Sequence, residues 1–362
     1  MNVKRALERI PADREAEDRA WAVVRSAFAE REAVPRRRRG GLVVAAMVGL
    51  AAVCAAAALS PPGRAVVNAV RRSIGIEHAA PALFRLPSSG RLLVSGRGGT
   101  WVIASDGSKR RLGSWADASW SPHGLFVVAA SRDGLAAVEP RDGTVRWSLA
   151  RPNVSLPSWG GTRTDTRIAY FSGASLRVVA GDGTGDRVLA RAALRVMPVW
   201  QPERHVVAFV ARSGVVIVRN VDSGAVVARH RVAGRVRSLA WSADGGRLAV
   251  ASSGGVRVFG RSGVTLPLRD VRAVTFARSG ALALLTPQAL LVYGTEGLQT
   301  VLQVRTRLAG VSWSPDGRWL VTSLPRADQW VFVGRGRVLA VSHIARQFGG
   351  PAPSLDGWLP GA

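Results

Sequence analysis

The sequence predicts an all-β protein, a seven-bladed β-propeller, preceded by a cytoplasmic helix and one transmembrane helix. Three features predict this: an aromatic-centred repeat, an uncharged apolar run near the N-terminus, and a polar leader with helical periodicity before that run. The 362 residues suffice for a large core, and an apolar content of 47% argues against disorder.

The repeat is clearest where an aromatic residue is followed by a tight turn and an apolar run. The segment WSPDG from Trp313 to Gly317 precedes one such run, and similar units begin at Trp120 and Trp241. The anchor positions, including looser copies and a degenerate first copy at Leu86, are 86, 120, 159, 200, 241, 276 and 313. Their spacing is close to the period of about 40 residues of a four-stranded propeller blade. Seven anchors predict seven blades.

Folding explains the residue types inside each unit. The aromatic anchor ends a first strand, the turn residues set the backbone angles, and the apolar run forms a buried middle strand. The outermost strand is rich in arginine, as at 109–112, and such charge prevents edge-to-edge aggregation. The repeat residues expected to be structural are Trp120, Gly124, Trp159, Trp200, Trp241, Gly245, Phe276, Gly280, Trp313, Pro315, Asp316 and Gly317.

The repeat places the propeller at residues 83–348. How the ring closes does not follow from the repeat. Residues 349–362 are predicted to be either a loose tail or a closing clasp that uses Trp358.

An uncharged run at 41–59 predicts a membrane anchor. It has about the ~20 residues that a helix needs to cross the hydrocarbon core. Arg36, Arg37, Arg38 and Arg39 directly precede it, which predicts a cytoplasmic N-terminus and an extracytoplasmic propeller in the cell membrane. A cleaved signal peptide is the alternative, but forty residues before the run are too many for an ordinary one.

The leader, residues 1–40, is predicted to contain an amphipathic helix. Trp21, Val24 and Phe28 recur at three- and four-residue steps and form an apolar stripe, a candidate surface for a partner. The alternative is a solvated leader without a partner, because a lone helix has nothing to bury its stripe against. Residues 60–82 are predicted to form a juxtamembrane helix and linker.

No catalytic, cofactor or metal site is predicted. The chain has one cysteine, Cys54 within the apolar run, no G-x-S-x-G motif, and histidines without metal-ligand spacing. Its acidic residues lie mostly in predicted turns. The net charge of +26 favours polyanions. With the tryptophans at core positions and the propeller outside the cell, nucleic acid is not expected, whereas anionic lipid or wall polymers are possible partners.

The WSPDG unit with its apolar strand resembles the TolB/WD40-like β-propeller repeats, over about residues 83–348. The whole layout is similar to membrane-anchored actinobacterial proteins associated with sigma-factor genes, in which a leader like 15–25 precedes the anchor. Only 313–317 matches WSPDG fully, and the Trp-Asp dipeptide of WD40 repeats is missing, so the repeats are closer to the TolB-like type.

These features favour a non-catalytic, extracytoplasmic binding or scaffolding propeller tethered to the membrane, with a protein partner. The alternative is a transmembrane regulator of the anti-sigma type that signals through the cytoplasmic helix. An envelope enzyme is the third and least favoured hypothesis. The sequence does not indicate an oligomeric state.

Overall fold

The predicted all-β propeller is confirmed by the computed structural model, which describes residues 85–334 and 336–361. These residues form seven antiparallel sheets of four strands each, and each sheet is one blade. Several predictions concern residues outside the described ranges. They are the leader helix with Trp21, Val24 and Phe28, the arginines Arg36 to Arg39, the run 41–59 and the linker 60–82. Within the described ranges, no helix is long and apolar enough to cross a membrane.

The strands follow one another blade by blade, from the innermost to the outermost. Blades 1 and 2 contain β1 (Arg91–Gly96), β2 (Gly99–Ala104), β3 (Lys109–Gly113), then β4 (Asp117–Trp120), β5 (Val127–Ser131), β6 (Gly134–Val138) and β7 (Val145–Ala150). Blades 3 and 4 contain β8 (Val154–Gly161), β9 (Thr166–Ser172), β10 (Ser175–Ala180), β11 (Arg187–Ala190), then β12 (Val199–Trp200), β13 (Val206–Val210), β14 (Val216–Asn220) and β15 (Val226–His230).

The remaining blades have the same order. Blades 5 and 6 contain β16 (Val236–Trp241), β17 (Arg247–Ser252), β18 (Gly255–Gly260), β19 (Val264–Leu266), then β20 (Ala273–Phe276), β21 (Leu282–Leu285), β22 (Ala289–Gly294) and β23 (Gly297–Gln303). Blade 7 contains β24 (Ala309–Trp313), β25 (Trp319–Leu324), the 3-10 helix η1 (Pro325–Ala327), β26 (Gln329–Gly334) and β27 (Arg337–Ser342). A short helix, α1 (Ile344–Phe348), and the last strand, β28 (Ser354–Leu359), follow.

The last strand closes the ring. β28 pairs with β1 and is the innermost strand of blade 1, so the propeller continues past residue 348 to Leu359. Leu92 lies opposite Trp358, as Leu282 lies opposite the anchor Phe276 in blade 6. The aromatic anchor of blade 1 is therefore Trp358, and the expectation of a first anchor at Leu86 was wrong. The unit is split, with its turn near the start of the propeller and its anchor strand near the end.

The core consists of apolar clusters between neighbouring blades, because each sheet buries both faces. The junction between blades 7 and 1 is the most aromatic, and α1 adds to it. Phe348 stacks on Trp330 at 5.0 Å between ring centroids and meets Trp101 edge-on at 5.8 Å. A Cβ added at Gly98 would lie 1.8 Å from the carbonyl oxygen of Phe348, so this approach requires glycine.

Replacing Trp358 with alanine should weaken the closure. The side chain is buried within the junction of blades 7 and 1, and its loss should lower the free energy of unfolding by about 3–5 kcal/mol. Urea denaturation followed by circular dichroism measures the change. Leu125→Ala is the control, because this side chain is 61% exposed and its loss should change stability by less than about 0.5 kcal/mol. Equal effects of the two substitutions would contradict the assigned role of Trp358.

Candidate functional site

Three of the predicted aromatic anchors link their innermost strand to that of the neighbouring blade. Three indole N–H groups donate to the carbonyl of the residue just before the neighbouring blade's anchor. Trp120 donates to Gly357 at 3.1 Å and Trp200 donates to Ser158 at 2.9 Å. Trp313 donates to the carbonyl of Thr275 at 3.2 Å. Trp159, Trp241 and Phe276 hold the same position in blades 3, 5 and 6. These anchors determine the packing of adjacent blades.

The predicted turn residues lie between the first and second strands. Ser314 donates its hydroxyl to Asp316 at 2.5 Å, and Asp316 also accepts the backbone N–H of Arg318. The turn glycines, Gly124, Gly245, Gly280 and Gly317, have φ between +65° and +87°, which glycine adopts without strain. Pro315 lies against the turn of blade 1, where a Cβ on Gly90 would be 2.8 Å from its Cγ.

One further position recurs in every blade. It immediately precedes the residue that pairs with the blade's own anchor, and we call it the cover position. The seven cover residues, in blade order, are Arg91, Phe126, Arg167, Val206, Arg247, Ala281 and Trp319.

Several cover residues contact the anchor of the next blade directly. The Arg91 guanidinium lies 5.0 Å from the ring centre of Trp120 and donates to the carbonyl of Gly124 at 2.8 Å. Arg247 repeats both contacts in blade 6, at 5.0 Å from the ring of Phe276 and 2.9 Å from the carbonyl of Gly280. A cation over an aromatic face is attracted by the ring and also screens it from water.

Blade 6 has the smallest cover residue, Ala281. By strand alternation it shares a face with Ala283, which packs in the same cluster as Trp313 of blade 7. Trp313 and Trp241 are half-buried, whereas Trp120 and Trp358 are buried. A cleft of about 270 Å³ opens beside Trp313 between the two blades. Its apolar walls are Val292, Val301, Leu320, Val333 and Val338, and its polar rim consists of Gln299, Arg318 and Arg337.

The rim of this cleft is positively charged. Within the described residues, neither Arg318 nor Arg337 forms an ion pair with a carboxylate. Asp316 lies near Arg318 and accepts its backbone N–H, and Glu296 accepts a hydrogen bond from Gln299 at 2.9 Å. An apolar pocket with an aromatic side and two arginines at its rim suits an apolar side chain beside a carboxylate.

Two other polar clusters are explained by the links they make between elements. His205 bonds through one ring nitrogen to Asp222 and through the other to the carbonyl of Asp165 at 2.8 Å. Arg167 bonds to the carboxylates of both aspartates, so the cluster joins blades 3 and 4. All four side chains have partners within the cluster, which fits a structural role.

Asp186 is the centre of the second cluster. It accepts hydrogen bonds from the Tyr170 hydroxyl at 2.8 Å and from Arg151 and Arg177 at 2.7 Å each. Burial raises the pKa of Asp186, but these bonds outweigh burial and hold the pKa below its usual range. Burial and the bond to Asp186 raise the pKa of Tyr170 to about 12, so this tyrosine is unsuited as a nucleophile near neutral pH.

The innermost strands bring two acidic side chains near each other. Asp356 lies on β28 and Asp117 on the adjacent β4. Burial raises the pKa of Asp356 well above its usual range, and the charge of Asp117 adds to this effect. Its Oδ2 atom has no hydrogen-bond partner among the described residues. Sequence reasoning missed Asp356 because it lies beyond the last recognised repeat.

The described residues contain no group of three or more histidine, cysteine or acidic side chains that could hold a metal ion. The family model for the WD domain, G-beta repeat, matches residues 225–259, which run from the outer strand of blade 4 to the third strand of blade 5. The propeller is WD40-like. No protein of known function in the curated set matches the chain.

The WD40-like repeat does not explain the cleft beside Trp313. Trp313 was predicted to be structural, and no sequence pattern pointed to Ala281, Arg318 or Arg337. An alignment of the seven units by their strand register would have shown alanine at the cover position of blade 6 alone.

Asp356→Asn should make the protein more stable at neutral pH. The pKa of the Asp356 carboxyl is higher in the folded protein than the value of about 3.9 expected in the unfolded chain. Its stabilising contribution is therefore complete only below a pH of about 3.9, and it is lost as the pH rises through the pKa of the folded state. The gain from asparagine should therefore be largest at pH 7–8 and shrink toward pH 4. Urea midpoints across that range measure it.

Asp106→Asn is the matched control for this prediction. Asp106 is an exposed turn residue whose pKa is lowered by the hydrogen bond from the backbone N–H of Ser108. Its contribution to stability is present above the unfolded pKa and lost in acid, so its replacement should have the opposite pH dependence. A gain from Asp356→Asn that did not change with pH would contradict the assignment.

Proposed function

We propose that the protein is a non-catalytic scaffold, tethered to the membrane by residues 41–59, whose extracytoplasmic propeller binds a partner protein. WD40-like propellers generally mediate protein–protein interactions, and this one has an uncovered aromatic cleft between two blades. The cleft beside Trp313 is the observation that carries the proposal. Support for the topology comes from the uncharged run and the four arginines before it. The WSPDG turn supports the TolB-like type within this class.

The binding surface that we propose is the cleft itself. Its apolar walls and aromatic side supply area that gains by leaving water, and its arginines supply orientation. Interface hot spots are enriched in tryptophan and arginine, and Trp313, Arg318 and Arg337 are together here. Anionic lipid or wall polymer remains a second partner class for the arginines of the outer strands, such as Arg110.

Photo-crosslinking in intact cells tests the proposal. A photoreactive amino acid in place of Gln299, at the rim of the cleft, should form a discrete crosslink to another protein. The same amino acid in place of Val227, on the outer strand of blade 4 and 61% exposed, should not. A membrane-impermeant label should reach both positions if the propeller is extracytoplasmic. Crosslinks of equal yield at both positions, or no crosslink at position 299, would contradict the proposal that the cleft is the binding surface.

Ala281→Arg should close the cleft. It places at this cover position the residue that blades 1, 3 and 5 already carry, and the new guanidinium should lie over Trp313 as Arg247 lies over Phe276. We expect the crosslink from position 299 to fall at least tenfold, while the urea midpoint stays equal or rises. The control Arg247→Ala removes the cover from Phe276 and should leave the crosslink unchanged.

The regulatory alternative, a transmembrane regulator of the anti-sigma type, depends on the leader. Its support is the apolar stripe of Trp21, Val24 and Phe28 in a segment predicted to be cytoplasmic. Affinity purification of the full chain should then recover a sigma factor or polymerase subunit, and Trp21→Ala with Phe28→Ala should abolish that recovery. Equal recovery by the double variant would remove the support for this alternative.

A further inference from the structure

The loops of the propeller lie on two opposite faces. The innermost strands of blades 2 and 3 run side by side in one direction. Near their starts, Leu156 donates its N–H to the Asp117 carboxylate at 3.1 Å, and near their ends Trp159 donates its N–H to the Ser119 hydroxyl at 3.4 Å. The anchor bonds described above join equivalent ends of other innermost strands. The tight turns that follow these strands therefore share one face, the turn face, and the connections between blades share the other, the connection face.

Charge is distributed unequally between the two faces. Because the strands of each blade are antiparallel, the loops between second and third strands belong to the connection face. These loops and the connections between blades contain fourteen arginines and three aspartates. Within the described part of the chain, the loops of the turn face contain seven arginines and eleven acidic residues. The connection face is therefore the basic side of the propeller.

The positive charge is concentrated on four successive connections. They join blade 3 to 4 (191–198), blade 4 to 5 (231–235), blade 5 to 6 (267–272) and blade 6 to 7 (304–308). Each of the four contains two arginines, and all eight are exposed. We call the eight arginines of these four ranges the basic arc. A surface with one sign of charge attracts partners of the opposite sign.

The charge of the basic arc is not neutralised by neighbouring side chains. Among the described residues, no arginine of the arc forms an ion pair with a carboxylate. The one acidic residue on these four connections, Asp270, lies 3.5 Å from Arg237 of β16. Arg195 donates to the neutral hydroxyl of Ser155 at 2.5 Å. The arc thus differs from the arginines of the cover positions, whose contacts with the next anchor explain them.

A polar hollow of about 360 Å³ lies within the arc. Arg231 lines it together with Ser213, Gly214, Val215 and Val232. Guanidinium and hydroxyl donors suit a phosphate group, which offers more acceptor oxygens than a carboxylate. The four connections contain no aromatic residue. They therefore lack the stacking surface by which proteins bind the bases of single-stranded nucleic acid.

We propose that the basic arc binds a linear polymer that carries phosphate groups. Arginines spread over four blades can contact successive phosphates of one chain, and such contacts reinforce one another because they are linked. The planar fork of arginine matches the geometry of phosphate oxygens. This surface is separate from the cleft beside Trp313, whose rim includes Arg318 and Gly336 from loops of the turn face.

The membrane surface fits the basic arc less well than a polymer. The described chain enters the propeller on the turn face, where Leu86 donates its N–H to the carbonyl of Ser105, in the loop between β2 and β3, at 3.0 Å. The proposed tether precedes this point, so the arc lies on the side of the propeller opposite to the tether. In this respect the inference rests on the topology given under the proposed function.

The test uses the full-length protein in nanodiscs of neutral lipid and a fluorescently labelled, long linear polyphosphate. Fluorescence anisotropy should detect saturable binding. Tripolyphosphate at the same total phosphate concentration should compete at least tenfold less effectively than the unlabelled long chain, because it contacts few arginines at once. Equal competition would assign the arc to a small anion and overturn the proposal.

Reversal of charge on the arc should weaken binding of polyphosphate at least tenfold. The variant combines Arg231→Glu, Arg235→Glu, Arg305→Glu and Arg307→Glu. The slope of log affinity against log salt should also decrease in magnitude by about 3, because each lost phosphate contact removes about 0.7. The urea midpoint should stay within the range of exposed substitutions, and each pair alone should weaken binding at least threefold.

The matched control reverses four exposed arginines on the turn face. It combines Arg141→Glu, Arg163→Glu, Arg204→Glu and Arg261→Glu, and changes the net charge by the same amount. Its binding should change less than threefold at about 0.15 M salt, where charges beyond a Debye length of about 8 Å are screened. Equal losses in the two variants would assign binding to the overall charge and overturn the proposal.

Two further measurements distinguish the class of polyanion. In nanodiscs of anionic lipid, polyphosphate should bind within threefold of its affinity in neutral discs, because the arc is opposite to the tether. A loss of tenfold or more would show lipid headgroups on the arc and overturn the proposal. Single-stranded DNA of equal charge should bind no more tightly than polyphosphate. Binding of DNA that was tenfold tighter would assign the arc to nucleic acid and also overturn it.

The crosslink from position 299 separates this inference from the proposed function of the cleft. The arc variant should leave that crosslink unchanged, because the two surfaces belong to different faces. If the crosslink forms in cells while no polymer binds the arc, the cleft keeps its proposed function and only the polymer inference fails. If polymer binding depends on the arc while no crosslink forms, the inference stands and the assignment of the cleft fails.

Discussion

Closure of the ring depends on the pairing of β28 with β1, and the other blade contacts depend on closure. Each blade packs only against its two neighbours, so a ring that is open at one junction leaves two sheet faces in water. The junction that closes the ring is also the most aromatic, with Trp330, Phe332 and Trp358 packed between blades 7 and 1. Burial of these rings outweighs the entropic cost of bringing the two ends of the propeller together.

Much of the fold follows from residues that repeat, and what could not be predicted lies where the repeat is broken. The turn at 313–317 and the apolar runs are local patterns, so the number of blades and the middle strands were predictable. Trp358 was not recognised as an anchor because its turn lies at the other end of the propeller. The structural position of Asp356 could not be predicted either, because its burial depends on contacts with neighbouring blades, and local sequence does not reveal those contacts.

The candidate site was less predictable than the fold, for a physical reason. A cleft forms where a side chain is small, and alanine at position 281 carries no chemical signal in isolation. Its meaning comes from comparison with other blades, three of which have a cover residue, Arg91, Phe126 or Arg247, that contacts the next anchor. Trp313 could be identified as an aromatic anchor but not as a half-buried one. The same repeat that builds the ring therefore produces a distinct surface where one member departs from it.

The split of blade 1 between the two ends of the propeller has a consequence for biosynthesis. β1, β2 and β3 leave the ribosome first, yet the innermost strand of their sheet is made last. Until Trp358 emerges, Leu92 and its neighbours in β1 keep one edge without a partner strand. The first blade to be translated is thus the last to be completed, and the nascent propeller carries an open, apolar edge through most of its synthesis.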